Sequence, residues 1–207
     1  MKTSTHYLLL LDRSGSMQRC WTATLNALDA QLEVIYSATI DQPQLSVTIN
    51  LVVFNDRFET LVYQAKPEDC KRFPVHHLFP EGNTGLFDAM GFSFQQLRGT
   101  MKADDIALVT IITDGMENAS QHFDAVRLSA LMDELRAGGK WSFSFMGADF
   151  DIFAHLGKEL NLEKKNTLFF SKSKIDEEVQ AMSSKHKLFF SKQAKTGTAD
   201  LSTFDFE

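Results

Sequence analysis

The apolar run His6 to Leu11 (HYLLLL) leads directly into Asp12-Arg13-Ser14-Gly15-Ser16. No other junction constrains the fold as tightly, because a strand ending on a carboxylate and two hydroxyls sets hard-cation donors at the carboxyl edge of a sheet. Two later segments share the design. Gly82-Asn83-Thr84-Gly85 carries a lone threonine, and Asp114-Gly115 follows the apolar, β-branched run Ile106 to Thr113. A continuous run of that kind marks a strand buried on both faces of a parallel sheet. Together the three segments predict a divalent-metal site.

The rest of the chain alternates strands with helices. Leu25, Leu28, Leu32 and Ile35 recur at helical spacing through about Ile40, in a helix expected to start beside the Asp-x-Ser-x-Ser turn. Leu45 to Leu51 alternates apolar with polar residues and runs on into Val52-Val53-Phe54; after the turn at Asn55-Asp56, Phe58 to Tyr63 forms its antiparallel edge partner. Pro67 to Asn83 reads as loop with at most a brief helical turn. A helix follows from Leu86 to about Met101, then the Ile106 strand. Leu128, Leu131, Met132 and Leu135 mark another helix, stopped by Gly138-Gly139. Trp141 to Met146 is a strand, Ile152 to Leu160 a helix and Thr167 to Phe170 a sixth strand. This order predicts an α/β fold: a doubly wound, mostly parallel sheet with one antiparallel edge strand and helices on both faces.

With 207 residues and 43% hydrophobic content, the chain suits one core, assigned to residues 1–190, with a polar tail over 191–207. A net charge of −6 argues against general binding to nucleic acid or an anionic membrane. Nine lysines against five acids between Lys158 and Lys195 read as a solvated helix face. The motif Leu-Phe-Phe-Ser-Lys occurs at 168–172 and again at 188–192, without wider repetition; packing of the second copy onto the core is favoured over self-association. Cys20 and Cys70 are too few for a disulfide framework and read as reduced packing residues. The first residues lack a signal-peptide apolar region, and no stretch reaches the roughly 18 apolar residues of a membrane span, so the cytoplasm is the expected location. His76-His77 lacks Cys or Glu at ligand spacing and reads as loop.

Magnesium favours octahedral oxygen coordination and retains waters, which suits a few hydroxyls and carboxylates. If Ser14, Ser16 and Thr84 bind directly, neutral donors leave the cation electrophilic, with a position open to a carboxylate from outside. The positive end of the helix after Ser16 is expected to assist. Arg13, Met17, Gln18, Glu81, Asn83, Met116 and Glu117 share the loops of these ligands and would form the rim, with partner specificity as their candidate role. Asp88 is expected to support the site from behind.

Asp12-Arg13-Ser14-Gly15-Ser16-Met17, then Thr84 before Leu86 and Asp88, then Thr113-Asp114-Gly115, resemble the von Willebrand factor A (VWA) domain and its metal-ion-dependent adhesion site. The resemblance covers nearly the whole chain. It implies that Asp12, Ser14, Ser16, Thr84 and Asp114 are metal ligands, directly or through water, for Mg²⁺ or Mn²⁺. It also implies a partner protein that donates a Glu or Asp. The segment Phe145 to Asp151 (FMGADFD) is similar to stand-alone bacterial and phage VWA proteins related to tellurium-resistance TerY, and so implies an adaptor in a stress-response setting. The competing class is a Mg-dependent phosphatase-like hydrolase with Asp12 as nucleophile. Such enzymes place a second carboxylate two residues on, where this chain has Ser14, and Asp104-Asp105 precedes a strand instead of following one. A serine hydrolase fails too, for want of a Gly-x-Ser-x-Gly elbow.

Overall fold

The HYLLLL run forms the middle of a six-stranded sheet in the computed structural model, which describes residues 3–70, 77–114, 116–147, 156–160, 167–169, 175–196 and 200–201. Strand β1 (Ser4–Asp12) pairs in parallel with β2 (Ser46–Phe54) on one side and with β4 (Ile106–Ile112) on the other. β3 (Phe58–Ala65) lies antiparallel on the outer edge of β2, while β5 (Trp141–Gly147) and β6 (Thr167–Phe169) extend the β4 side in parallel. The order is β3-β2-β1-β4-β5-β6. The expected doubly wound sheet with one antiparallel edge strand is therefore present.

Successive leucines of β1 enter opposite layers because side chains alternate across a strand. Tyr7, Leu9 and Leu11 meet Leu28, Leu32 and Ile35 of α1 (Trp21–Asp41) and Phe189 and Phe190 of the C-terminal helix α4 (Ile175–Thr196). Leu8 and Leu10 face the other layer, built with Phe87, Met90 and Phe94 of α2 (Leu86–Arg98) and Leu128 and Met132 of α3 (Ala125–Ala137). Covered on both faces, β1 and β4 have no solvent side that would call for polar residues. Phe189 and Phe190 are 0% and 1% exposed, so the two aromatic residues of the second Leu-Phe-Phe motif pack into the core while Leu188 remains exposed.

The chain leaves β1 toward β2 and later re-enters on the opposite side as β4, so the strand order reverses between them. Such a switch point opens a crevice beyond the carboxyl ends of the two strands. Asp12 closes β1, and Asp114 lies just past β4. At the opposite end of β1, Asp105 accepts hydrogen bonds from Ser4 N (3.1 Å) and Lys102 N (2.8 Å) and contacts His6 Nε2 (3.1 Å), which ties the start of β1 to the start of β4.

Three expectations need correction. α1 begins at Trp21, because a five-residue 3₁₀ turn, Gly15–Arg19, intervenes after the motif and tucks Met17 into the core at 1% exposure. α2 ends at Arg98, short of Met101, with Gly99 at its C-cap. α4 runs past residue 190 to Thr196, since Gln193 Nε2 donates to the buried Thr5 Oγ1 at 3.0 Å; residues 191–196, assigned to a tail, are helical. Gly115, His76, Ala148 to Asp151, the start of the expected Ile152 helix, Phe170 and residues 202–207 lie outside the described residues. Among the described residues no helix is long and apolar enough to cross a membrane.

The α2–α3 layer depends on a missing side chain. A Cβ on Gly91 would come within 2.5 Å of the Phe123 ring, which is 4% exposed and packs edge-on against Phe92. Gly91→Ala should therefore lower stability by about 1–3 kcal/mol despite its better helix propensity, read as a lower urea midpoint at unchanged slope.

Candidate metal centre

Asp12 is 0% exposed, and both of its carboxylate oxygens are engaged. Oδ1 accepts from Ser14 N at 2.7 Å, and Oδ2 accepts from Thr113 Oγ1 at 2.6 Å. The carboxylate thus folds the motif back on itself and anchors the end of β4. Ser14, 1% exposed, turns its hydroxyl to Ser16 Oγ at 3.1 Å, and Ser16 Oγ donates to Asp114 Oδ1 at 2.8 Å. Four of the five candidate ligands therefore lie in one hydrogen-bonded line across the β1/β4 crevice.

The fifth, Thr84, is 3% exposed, and its hydroxyl has no hydrogen-bond partner among the described residues. Its loop is stitched to the Ser14 loop through Gly15 N to Gly82 O (3.1 Å) and Glu81 N to Arg13 O (2.8 Å). Asn55 fixes the other side, with Nδ2 donating to Glu81 O at 3.0 Å and its backbone carbonyl accepting from Gly85 N at 2.7 Å. Gly82 is required in this stitching: its φ is +75°, and a Cβ would lie 2.8 Å from Asp56 Oδ1.

The donor set fits a small, hard cation. Cis oxygens around magnesium at 2.0–2.1 Å are separated by about 2.9 Å, the edge of the octahedron. The spacings Ser14 Oγ to Ser16 Oγ, 3.1 Å, and Ser16 Oγ to Asp114 Oδ1, 2.8 Å, bracket that edge. The described residues hold no cluster of three or more His, Cys, Asp or Glu side chains suited to a metal. Hydroxyls supply most of the oxygens.

Electrostatics point the same way. Burial, aided by the nearby charge of Asp114, pushes the Asp12 carboxyl up to about 6 against the pull of hydrogen bonds from Thr113 and Ser14. A buried anion short of positive charge is a strain that a cation relieves. Asp114 is 3% exposed; its Oδ2 faces Arg19 Nη2 at 3.6 Å and the Cys20 thiol at 3.7 Å. Burial first, and then the Asp114 charge, push the Cys20 thiol up to about 11, which keeps it protonated and able to donate. Both cysteines are free.

Several rim assignments change. Met17 is core. Glu117, expected at the rim, accepts from Phe87 N (2.8 Å), Ala119 N (2.8 Å), Ser120 N (2.7 Å) and Ser120 Oγ (2.8 Å), so it caps α2 and braces its own loop. Its neighbour Asn118 accepts from Thr84 N at 2.9 Å and donates back to Thr84 O at 3.0 Å. Asp88 accepts from the backbone N–H groups of Gln121, His122 and Phe123 at 2.7–2.9 Å, which holds the loop beside the crevice without reaching it. Gln18, Glu81, Asn83 and Met116 are exposed, and Arg13 is tied to Glu81 at 3.2 Å. His77 is exposed. The residues that sequence reasoning passed over are Thr113, Asn118, Asn55, Arg19 and Cys20. Only the position of Thr113, beside Asp114, carried a hint.

The helix expected beside Ser16 is α1, which begins at Trp21 after the Gly15–Arg19 turn, with the thiol of its N-cap residue Cys20 beside Asp114 Oδ2 at 3.7 Å.

No protein-family model matches the chain, and no curated protein matches its sequence. Solved structures do share its fold. The vWF domain of the type V pili tip protein Mfa5 from Porphyromonas gingivalis superposes with a TM-score of 0.67 at 9% identity, covering 91% of this chain and 96% of that one. Manganese-loaded Plasmodium vivax TRAP gives 0.63 at 15% identity, over 86% and 72%. Proximal thread matrix protein 1 from the mussel byssus, with a zinc-occupied MIDAS motif, gives 0.62 at 12% identity over 88% of this chain; the present chain spans under half of its length, 46%. At these identities the likeness establishes the fold, that of von Willebrand factor type A domains.

Two measurements probe the centre. Metal-free Asp12→Asn should be about 1–3 kcal/mol more stable than wild type at pH 7.5, since the amide oxygen keeps the bond from Ser14 N, its nitrogen donates to Thr113 Oγ1 in the reverse sense, and a buried charge is removed. A carboxyl raised from 3.8 to about 6 in the folded state binds its proton more tightly there. Its ionisation therefore detracts from stability as pH climbs through that window, and the advantage of the Asp12→Asn variant should fade below about pH 4. Glu117→Ala, which leaves three backbone N–H groups unpartnered, should lower stability by about 2–4 kcal/mol in denaturant titrations.

Proposed function

We propose that this protein is a divalent-metal-dependent protein-binding module. In this reading Asp12, Ser14, Ser16, Thr84 and Asp114 hold Mg²⁺ or Mn²⁺, and the cation recognises a Glu or Asp side chain of a partner. The observation that carries the reading is the line Ser14 Oγ, Ser16 Oγ and Asp114 Oδ1 at 3.1 and 2.8 Å, spaced as the edges of an octahedron. When bound, the metal would supply an electrophilic centre with a position open to a carboxylate. The chain's part is to bury the donors and to keep the three loops in register through Gly82, Asn55 and Asn118. The zinc- and manganese-bound states of the mussel and Plasmodium proteins support a divalent ion in this fold.

The role we assign is that of an adaptor, cytoplasmic and of the stand-alone bacterial or phage type, in a stress-response setting. Two free cysteines agree with a reducing compartment. The hydrolase alternative requires Asp12 as nucleophile. Its complete burial and its two engaged oxygens disfavour that role, so we assign no catalytic residues.

An affinity pull-down from native lysate, comparing wild type in Mg²⁺, wild type in EDTA and Asp114→Ala in Mg²⁺, tests the reading. A protein retained only in the first condition is the expected result, and retention in all three would overturn it. In parallel, Mg²⁺ or Mn²⁺ at a hundredfold excess over its Kd should stabilise wild type by about 2.7 kcal/mol in thermal unfolding and leave Asp114→Ala unmoved.

A further inference from the structure

Two arginines flank the candidate centre, and they are held differently. Arg13 is 18% exposed and tied to Glu81 at 3.2 Å, and its backbone N–H is fixed to Phe54 O at 2.7 Å. Arg19 ends the 3₁₀ turn that carries Ser16. Its side chain is 71% exposed and makes one ionic contact, Nη2 to Asp114 Oδ2 at 3.6 Å, on a carboxylate that is 3% exposed. The opposite oxygen, Asp114 Oδ1, is the one that accepts from Ser16. One carboxylate thus faces the ligand line with one oxygen and a tethered, solvent-exposed monocation with the other.

We propose that Arg19 is a built-in counter-ion to the centre: it neutralises Asp114 in the metal-free protein, competes with the arriving divalent cation, and swings toward solvent when that cation binds. The proposal rests on the metal-site reading and adds a residue to it. Three facts carry it. The contact at 3.6 Å is too long for a tight hydrogen bond and is made by a mostly exposed group, so it is easily broken. The turn is short, so a cation between Ser16 and Asp114 would lie within a few ångströms of the guanidinium, and the two positive charges repel there. Arg19 is also the one cation paired with either aspartate of the centre among the described residues, which leaves its charge as the local substitute for a metal.

The guanidinium therefore lowers metal affinity and guards against a bare pair of buried carboxylates. It also sets a threshold below which the centre remains metal-free and closed to a partner's acid. Once displaced, it stands beside the open face of the centre as a second positive group.

The test uses the full chain and Mn²⁺ alone as probe. Free Mn²⁺ is counted by electron paramagnetic resonance, with calorimetry as a second readout, for wild type, Arg19→Gln, Arg19→Lys and Asp114→Ala. Arg19→Gln should bind Mn²⁺ about three- to tenfold more tightly than wild type at low salt, and the gain should shrink in 0.5 M NaCl, on the order of full screening over this distance. Arg19→Lys, which keeps the charge, should stay near wild type, and Asp114→Ala should lose binding. Equal affinity for wild type and Arg19→Gln overturns the counter-ion proposal and leaves the metal reading intact. Weaker binding by Arg19→Gln also overturns it, because Arg19 would then be building the site. If none of the four binds Mn²⁺, both readings fall together. Since Arg19 is exposed, its variants are expected to fold, and matching thermal unfolding curves in EDTA check this.

Discussion

Everything at the candidate centre depends on β1 being gripped from both sides. Its parallel ladders to β2 and β4 run from residue 4 to residue 12 and from residue 5 to residue 11, and they fix the height at which the strand ends. Leu11 lies opposite Ile112, and Asp12 opposite Phe54. A slip of one residue in either ladder would turn Asp12 out of the crevice and a leucine into it, because side chains alternate with a period of two. The apolar run preceding the motif is therefore part of the site. Burial of Tyr7, Leu9 and Leu11 on one face and Leu8 and Leu10 on the other selects a single register, and that register aims the carboxylate.

The fold meets the cost of burying Asp12 with hydrogen bonds and leaves part of it unmet. Ser14 N and Thr113 Oγ1 satisfy its oxygens, yet its carboxyl remains raised because neither donor carries a full positive charge. A chain selected only for stability would place an amide or an apolar side chain at that position. A buried carboxylate kept beside a second one supports the proposed reading, in which the missing charge comes from outside. The surrounding loops follow the same logic. Their polar groups, those of Asn55, Glu117, Asn118 and Asp88, are used on backbone N–H and C=O groups, so the loops hold their shape without relying on a ligand.

Much of this was legible in the sequence because it rests on periodicity and position. The six strands, the antiparallel edge and helices α1, α2 and α3 follow from apolar spacing; α4, whose Phe189 and Phe190 join the α1 side of the core, was read only as a solvated, lysine-rich helix face. Asp12, Ser14, Ser16 and Asp114 converge because strand ends at a switch point must converge. What was hidden depends on long-range contacts that local pattern does not encode. Glu117 reads as one more loop acid until the N-terminus of α2 is seen to lie against it. Met17 reads as rim until the 3₁₀ turn places it inward. The turn itself was missed because the leucine spacing from Leu25 onward shows that a helix exists but not where it begins. Gln193 reads as tail because its partner, Thr5, is 188 residues away in sequence.

In the proposed reading, the hydroxyl-rich donor set would let the centre be both buried and responsive. Three carboxylate ligands would leave a bound divalent cation with a net charge of −1, and an incoming acid would be repelled. The same three charges, without the cation, would repel strongly enough to loosen the loops. With two carboxylates and three hydroxyls, the proposed donor set would balance a bound divalent cation without a net negative charge, so an incoming acid would not be repelled. On the counter-ion proposal, the exposed Arg19 beside the buried Asp114 would bridge the metal-free and metal-bound conditions. In the proposed reading, serine in place of aspartate at positions 14 and 16 would bear on stability and recognition together: it would let the domain fold before a cation arrives and leave that cation able to attract a partner's carboxylate.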